Sequence, residues 1–113
     1  MLKYNNKMLM KNVRVARESW ERMKGLMFED KKNFNYALAM EMQGEGTITS
    51  SIHMVFVFFP IDVLFLNKEK KVVDKVTLEP FVPNYTPKKP AKYVVELPKG
   101  KAKKVKIGNT ISW

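Results

Sequence analysis

The stretch SIHMVFVFFPIDVLFLN, residues 51–67, constrains the fold of this chain more than any other segment. Thr, Ile, Val and Phe dominate residues 47–59, and β-branched and aromatic side chains favour a pleated strand. Apolar side chains fall on both faces of this segment, which predicts a central strand covered on both sides. Pro60 has no N–H to donate to a β-ladder, so we expect a break there and a second strand over 61–67.

Local patterns predict the other strands and the turns that join them. β-rich segments indicate a short strand at the C-terminus and further strands at 7–15, 36–42, 71–80 and 91–97. The polar sequence NKEK has the length of a hairpin turn, so the strands on either side of it are expected to pair antiparallel. QGEG at 43–46 predicts a turn, and KGKAKKVK predicts a helical turn or basic loop.

One short helix is expected over residues 18–25. Gly25 ends it, because glycine enters the left-handed region without a Cβ penalty. The spacing of Trp20, Met23 and Leu26 at i, i+3 and i+6 predicts a face that pins the helix to the sheet.

Residues 80–90 hold four of the six prolines and predict a stiff loop, with Phe81 and Tyr85 against the body. Together the elements predict one domain over residues 1–113. The fold class is mainly β: an antiparallel barrel or sandwich of about six to seven strands with one or two short helices.

Composition excludes several classes of chemistry. The chain has no cysteine, which removes disulfides, thiolate zinc sites and iron–sulfur clusters, and a single histidine, so no site within it has two imidazoles. No phosphate loop, dinucleotide fingerprint or serine elbow is present, and no pattern predicts a cofactor or metal. The apolar run 52–66 is shorter than the roughly 20 residues of a membrane span. We expect a cytoplasmic protein without membrane insertion, as a monomer or small homo-oligomer.

The net charge of +10 is concentrated in the second half of the chain. Residues 1–67 carry nine basic and seven acidic groups (net +2), whereas residues 68–113 carry twelve and four (net +8). A basic segment indicates a polyanion partner such as nucleic acid or an anionic membrane surface. The candidate contacts are Lys99, Lys101, Lys103, Lys104 and Lys106. The alternative is that the lysines serve solubility, since nucleic-acid readers favour arginine and only three arginines are present.

His53 and Asp62 are the polar residues of the apolar stretch, and two roles stay open for them. If the chain doubles back at Pro60, the Asp could orient the His as a general base. If it does not, His53 is a core or rim histidine bonded to the backbone, and Asp62 accepts loop N–H groups at the Pro60 turn. No residue is assigned a catalytic role.

Glu96 and Tyr85 complete the candidate ligand-binding residues, with His53 and Asp62. Glu96 is expected either at a pocket mouth or in a surface ion pair with Lys92. The preferred hypothesis is a non-catalytic binding or accessory module with a small-molecule or peptide cleft beside the 80–90 loop. The alternatives are a nucleic-acid-binding β-barrel that uses residues 98–106, and an enzyme that uses His53 and Asp62.

Four segments together resemble the DUF192 family, whose members are also called UPF0127 proteins. They are RMKGLMF (22–28), HMVFVFFPIDVLFLN (53–67), PAKYVVELPKG (90–100) and IGNTI (107–111). Their order and spacing match the family pattern over almost the whole chain. The positions that match its motif residues are Gly25, Leu26, Pro60, Asp62, Glu96, Pro98 and Gly100.

The resemblance implies a small, single-domain, mainly β protein of a family without an established biochemical activity. Many bacterial relatives begin with an export signal, and the opening MLKYNNKMLMKNV does not have the pattern of one. We therefore expect an intracellular, archaeal-type member. Asn109 departs from the family pattern, which usually has Asp there.

Overall fold

The computed structural model describes all 113 residues as a mainly β sandwich. Its larger sheet has the spatial order β3-β4-β7-β5-β6 and its smaller sheet the order β2-β1-β8. Every neighbouring pair is antiparallel except β3 and β4, which run parallel. The strands in chain order are Leu2–Tyr4 (β1), Lys7–Met10 (β2), Val13–Ala16 (β3), Ala37–Gly46 (β4), Ile61–Leu66 (β5), Val72–Leu78 (β6), Ala91–Pro98 (β7) and Ile111–Ser112 (β8). The predicted fold class is confirmed as a sandwich rather than a closed barrel.

The centre of the larger sheet agrees with the local sequence patterns. All six residues of β5 are buried, and β5 pairs with β6 as the predicted antiparallel hairpin. On its other side β5 pairs with β7, which places Val63 between Val76 and Glu96. This position agrees with the strand predicted after the break at Pro60, and IDVLFL is nearly apolar throughout, as is typical of a strand buried on both faces.

The two faces of the larger sheet carry separate cores. One face, here called the cleft face, bears Met40, Val63 and Phe65 and is covered by residues 26–36 and 52–59. The opposite face, here called the terminal face, is covered by both chain ends. The apolar residues of its core include Leu2, Met10, Leu64, Val95, Leu97, Ala102, Val105 and Ile111.

Residues 47–59 do not form the predicted central strand. Ile52 makes only an isolated bridge with Tyr85, and Ser50 donates to the carbonyl oxygens of Gly46 and Thr47, which turns the chain. The partner positions of β4 and β5 are already taken by β3, β6 and β7. The apolar side chains of this segment therefore cover the cleft face instead of pairing within the sheet.

Two other boundaries differ from the prediction. The expected strand over 7–15 is two strands, because the chain breaks at Lys11 and Asn12 and its halves join different sheets. The expected turn at 43–46 continues β4 to Gly46, with an irregular register after Glu41.

The helix also differs from its prediction in how it is anchored. It spans Ser19–Lys24 (α1), followed by a 3₁₀ turn at Lys31–Asn33, and α1 buries no residue. Trp20 and Met23 are 63% and 70% exposed, so they do not pin α1 to the sheet, whereas Leu26 beyond the helix is buried. With six residues, α1 is far too short to cross a membrane, and the structure has no other α-helix.

The loop over residues 80–90 is confirmed, and Tyr85 packs on the body with its ring 5.6 Å from that of Phe65. Phe81 differs from the prediction, since half of it is exposed and it touches Phe58 edge-on.

Candidate functional site

Glu96 is a buried carboxyl group on the cleft face. On β7 it lies between Leu38 of β4 and Val63 of β5, and only 4% of it is exposed. Its Oε1 atom has no hydrogen-bond partner. Burial raises the pKa of Glu96 to about 8, because the apolar surroundings disfavour the charged form. A buried polar atom without a partner is rare in a folded protein, so this one needs a physical explanation.

A cleft of about 250 Å³ opens over Glu96. Its walls come from residues 22–27, from β4 and from the 47–60 segment. Residues 22–27 and the apolar segment 47–59 therefore both line the cleft that contains the Glu96 carboxyl group. The volume corresponds to about eight water molecules at 30 Å³ each, which is room for one amino-acid side chain or a small metabolite.

Gly25 shapes the wall of the cleft that lies against Glu96. Its backbone has φ +48° and ψ −122°, a conformation that favours glycine. A Cβ atom at this position would lie 3.8 Å from Glu96 Oε1. The glycine thus ends α1 and keeps the space beside the carboxyl group open.

Most of the apolar lining is methionine. Met23, Met27, Met40 and Met42 line the cleft from α1, its following turn and β4. Thioether side chains are unbranched and polarizable, so such a wall adapts to ligands of different shape.

The two segments that line the cleft are joined at a pair of phenylalanines. Phe28 donates its N–H to the carbonyl oxygen of Phe56 at 2.9 Å, and the two rings stack with centroids 4.8 Å apart. Both residues have positive φ, 62° and 58°, and both rings are exposed. Left-handed backbone at a bulky residue costs about 1–3 kcal/mol and concentrates at functional sites.

His53 lies at the cleft, but the structure does not bring it together with Asp62. The imidazole is exposed, lines the same cleft as Glu96 and accepts the N–H of Val55 at Nδ1. Asp62 neighbours Val63 along β5 and therefore points to the terminal face, since successive side chains in a strand alternate. His53 and Glu96 share a cleft, whereas Asp62 lies on the other side of the sheet.

Asp62 is fully engaged by the protein. Its Oδ1 accepts the hydroxyl of Thr77 at 2.8 Å, and its Oδ2 accepts the N–H groups of Gly100 and Ala102 at 2.9 and 3.1 Å. This carboxylate accepts loop N–H groups, but the loop is the lysine-rich segment after β7 rather than the turn at Pro60.

Tyr85 does not line the cleft but packs against the core of the cleft face. Its hydroxyl donates to Oδ2 of Asp74 at 2.7 Å, and its backbone exchanges two hydrogen bonds with Ile52, which lines the cleft. Burial and the hydrogen bond to Asp74 raise the pKa of Tyr85 to about 12. The tyrosine ties the proline-rich loop to the cleft wall.

The five candidate polyanion contacts lie away from the cleft. Lys99, Lys101, Lys103, Lys104 and Lys106 are all exposed, and none of them forms an ion pair. No group of three or more His, Asp or Glu side chains converges to hold a metal ion.

Comparison with known proteins places the chain in a family. The sequence profile of DUF192, described as "Uncharacterized ACR", matches residues 2–113. The chain belongs to the DUF192 family. A UPF0127 protein of Pyrococcus furiosus is 41% identical over 103 residues, which are 89% of this chain and 85% of that protein. A UPF0127 protein of Thermococcus sibiricus is 38% identical over 103 residues, and the match covers 65% of its length.

A solved structure supports the same fold. The crystal structure of a protein of unknown function from Novosphingobium aromaticivorans superposes with a TM-score of 0.78. It is 21% identical, and the match covers 89% of this chain and 74% of that chain. At this identity the likeness shows the fold alone.

Five of the seven DUF192 motif residues of this chain fall into two groups in space, and Pro60 and Pro98 lie together elsewhere. Gly25 and Leu26 line the cleft with Glu96, although about 70 residues separate them along the chain. Asp62 and Gly100 meet on the terminal face through a hydrogen bond. No local sequence pattern relates residues 25–26 to Glu96, so this cleft could not be predicted from local patterns. The only sequence signal at both places is that Gly25, Leu26 and Glu96 match DUF192 motif positions.

Proposed function

We propose that this DUF192 protein is a binding module that takes a small polar group into the cleft and onto Glu96. The observation that carries the proposal is the buried, unpartnered Oε1 atom at the floor of a cleft. A ligand that supplies the missing hydrogen bond relieves the cost of an unsatisfied buried group, about 1–3 kcal/mol.

The charge state of Glu96 favours a neutral ligand group. With its pKa at about 8, the carboxyl group is mostly protonated at pH 7 and offers both a donor and an acceptor. A primary amide or a hydroxyl group matches this pair. Arg22 and Lys24 also line the cleft and disfavour a cationic ligand.

The other lining residues indicate the chemistry of the part of the ligand that does not contact Glu96. The methionines suit a short apolar body, and His53 with Ser51 offers polar contacts. The ligand class is therefore a small amide or alcohol with an alkyl portion, or a peptide side chain of the same chemistry.

Protein-observed NMR at pH 6.5 tests the proposal. Propanamide, hexanamide and the matching alcohols are titrated against the protein, with alkylammonium ions of equal length for comparison. Saturable shifts are expected at Gly25, Leu26 and Ser51 for the amides or alcohols and weaker ones for the ammonium ions.

The variant Glu96→Leu keeps a similar volume and removes the polar group. Binding is expected to weaken about tenfold, the equivalent of 1.4 kcal/mol. Glu69→Leu, at an exposed carboxylate in the β5–β6 turn, serves as the matched control and is expected to bind as the wild type does. Equal affinity in Glu96→Leu and the wild type, or shifts confined to other surfaces, would contradict the proposal.

A further inference from the structure

The terminal face is covered by a layer that contains lysines and no acidic residue. This lysine layer comprises residues 1–11 and 99–113, joined where β1 pairs with β8 through Lys3 with Ser112 and Tyr4 with Ile111. It contains no Asp or Glu. Its eight lysines, all exposed and none in an ion pair, are Lys3, Lys7, Lys11, Lys99, Lys101, Lys103, Lys104 and Lys106.

The lysine layer accounts for nearly all of the net charge. It contributes +8 of the total +10, whereas residues 12–98 contain thirteen basic and eleven acidic residues, a net of +2. Three of the eight lysines come from the N-terminal end, far from the others in sequence. The pairing of β1 with β8 therefore adds three N-terminal lysines to the five that the sequence predicts as polyanion contacts.

The backbone beneath the C-terminal lysines is fixed from both sides. Asp62 accepts the N–H groups of Gly100 and Ala102, and Lys75 Nζ donates to the carbonyl oxygens of Ala102 and Val105 at 3.0 and 2.7 Å. The side chains of Ala102 and Val105 are buried in the core of the terminal face. A preformed segment loses little conformational entropy when it binds.

We propose that the lysine layer binds the phosphate backbone of nucleic acid without reading its sequence. A polyanion of regular spacing complements a surface of unpaired cations, and each neutralised phosphate releases a counterion. Lysine acts as a point charge toward phosphate, whereas base recognition relies on the planar arginine group. This site lies on the opposite side of the sheet from Glu96, apart from Lys99, which lies beside Phe59 and Pro60, and it does not depend on the cleft.

Fluorescence anisotropy with a labelled 20-nucleotide single-stranded RNA and a 20-base-pair DNA duplex tests the proposal at 50–200 mM salt. The layer variant carries Lys101→Gln, Lys103→Gln and Lys104→Gln. The control variant carries the same loss of three charges at exposed lysines outside the layer, Lys32→Gln, Lys88→Gln and Lys89→Gln.

The layer variant is expected to bind at least tenfold more weakly at low salt, and the control within about threefold of the wild type. Since each single-strand phosphate contact contributes about 0.7 to the salt slope, three lost contacts lower that slope by about 2. A second variant, with Lys3→Gln, Lys7→Gln and Lys106→Gln, is expected to behave like the first. It also keeps the test valid if the first variant folds poorly.

Three results would overturn the proposal. One is an equal loss of nucleic-acid affinity in the layer and control variants, which would show that the attraction depends only on net charge. Another is no binding of either nucleic acid at 50 mM salt. The third is that the wild-type protein binds phosphatidylserine vesicles but neither nucleic acid, which would assign the lysine layer to anionic membrane surfaces.

Discussion

The substitution Glu96→Gln removes the titration of the buried carboxyl group and keeps its shape. The pKa of Glu96 is about 8 in the folded protein and 4.5 in the absence of perturbation. A carboxyl group whose pKa is raised by folding favours the folded state below pH 4.5, where both states are protonated. That stability is lost as the pH rises toward 8, because the unfolded chain ionises first.

The size of the effect follows from the two pKa values. Each pH unit between them costs 1.36 kcal/mol, so the wild type loses about 3 kcal/mol between pH 4.5 and pH 7 through this group alone. Glutamine has no proton to lose, so the stability of the variant relative to the wild type rises by about 3 kcal/mol over that window. At roughly 4 °C per kcal/mol, the gap in Tm widens by about 12 °C.

Urea unfolding at pH 4.5, 6, 7 and 8 measures the difference directly. Comparing variant with wild type at each pH cancels the contributions of all other titrating groups. Glu69→Gln, which also replaces one Glu by Gln but at an exposed position, is the matched control. Parallel stability profiles for Glu96→Gln and the wild type would refute the reasoning that burial keeps this carboxyl group protonated.

Three further substitutions test the framework around the site by urea unfolding. Gly25→Ala is expected to cost about 1–3 kcal/mol, since a side chain is placed at φ +48°; an unchanged midpoint would show that the turn relaxes freely. Asp62→Ala is expected to cost about 2–4 kcal/mol and to speed amide exchange at Gly100, because buried N–H groups lose their acceptor; protection as in the wild type would contradict this. Tyr85→Phe is expected to cost about 1–2 kcal/mol by removing the hydrogen bond to Asp74, and a neutral effect would mean that water replaces the hydroxyl.

The two covers of the larger sheet differ in chemistry as well as in origin. The cover of the cleft face comes from internal segments and exposes aromatic side chains such as Phe28 and Phe56. The cover of the terminal face comes from the chain ends and exposes lysine. This arrangement separates the cleft from the charged surface, so the two proposals are testable independently.

Strands with strong local patterns could be predicted from the sequence. The β5–β6 hairpin, the core of β4, β7 and the proline-rich loop all follow from β-branched runs, turn residues and proline positions. Residues 47–59 have the same composition as these strands and form none. A strand needs partners, and the sheet positions beside β4 and β5 are filled by segments distant in sequence.

The candidate site shows the same division. Sequence alone singled out Glu96 and Asp62 as motif acids and predicted that Gly25 ends a helix. It could not tell which face of the sheet each acid occupies, because that depends on the register that sets Glu96 beside Val63. One residue of register moves every side chain of a strand to the opposite face. The tertiary structure thus decided that Glu96 opens into a cleft and that Asp62 holds the backbone beneath the lysine layer.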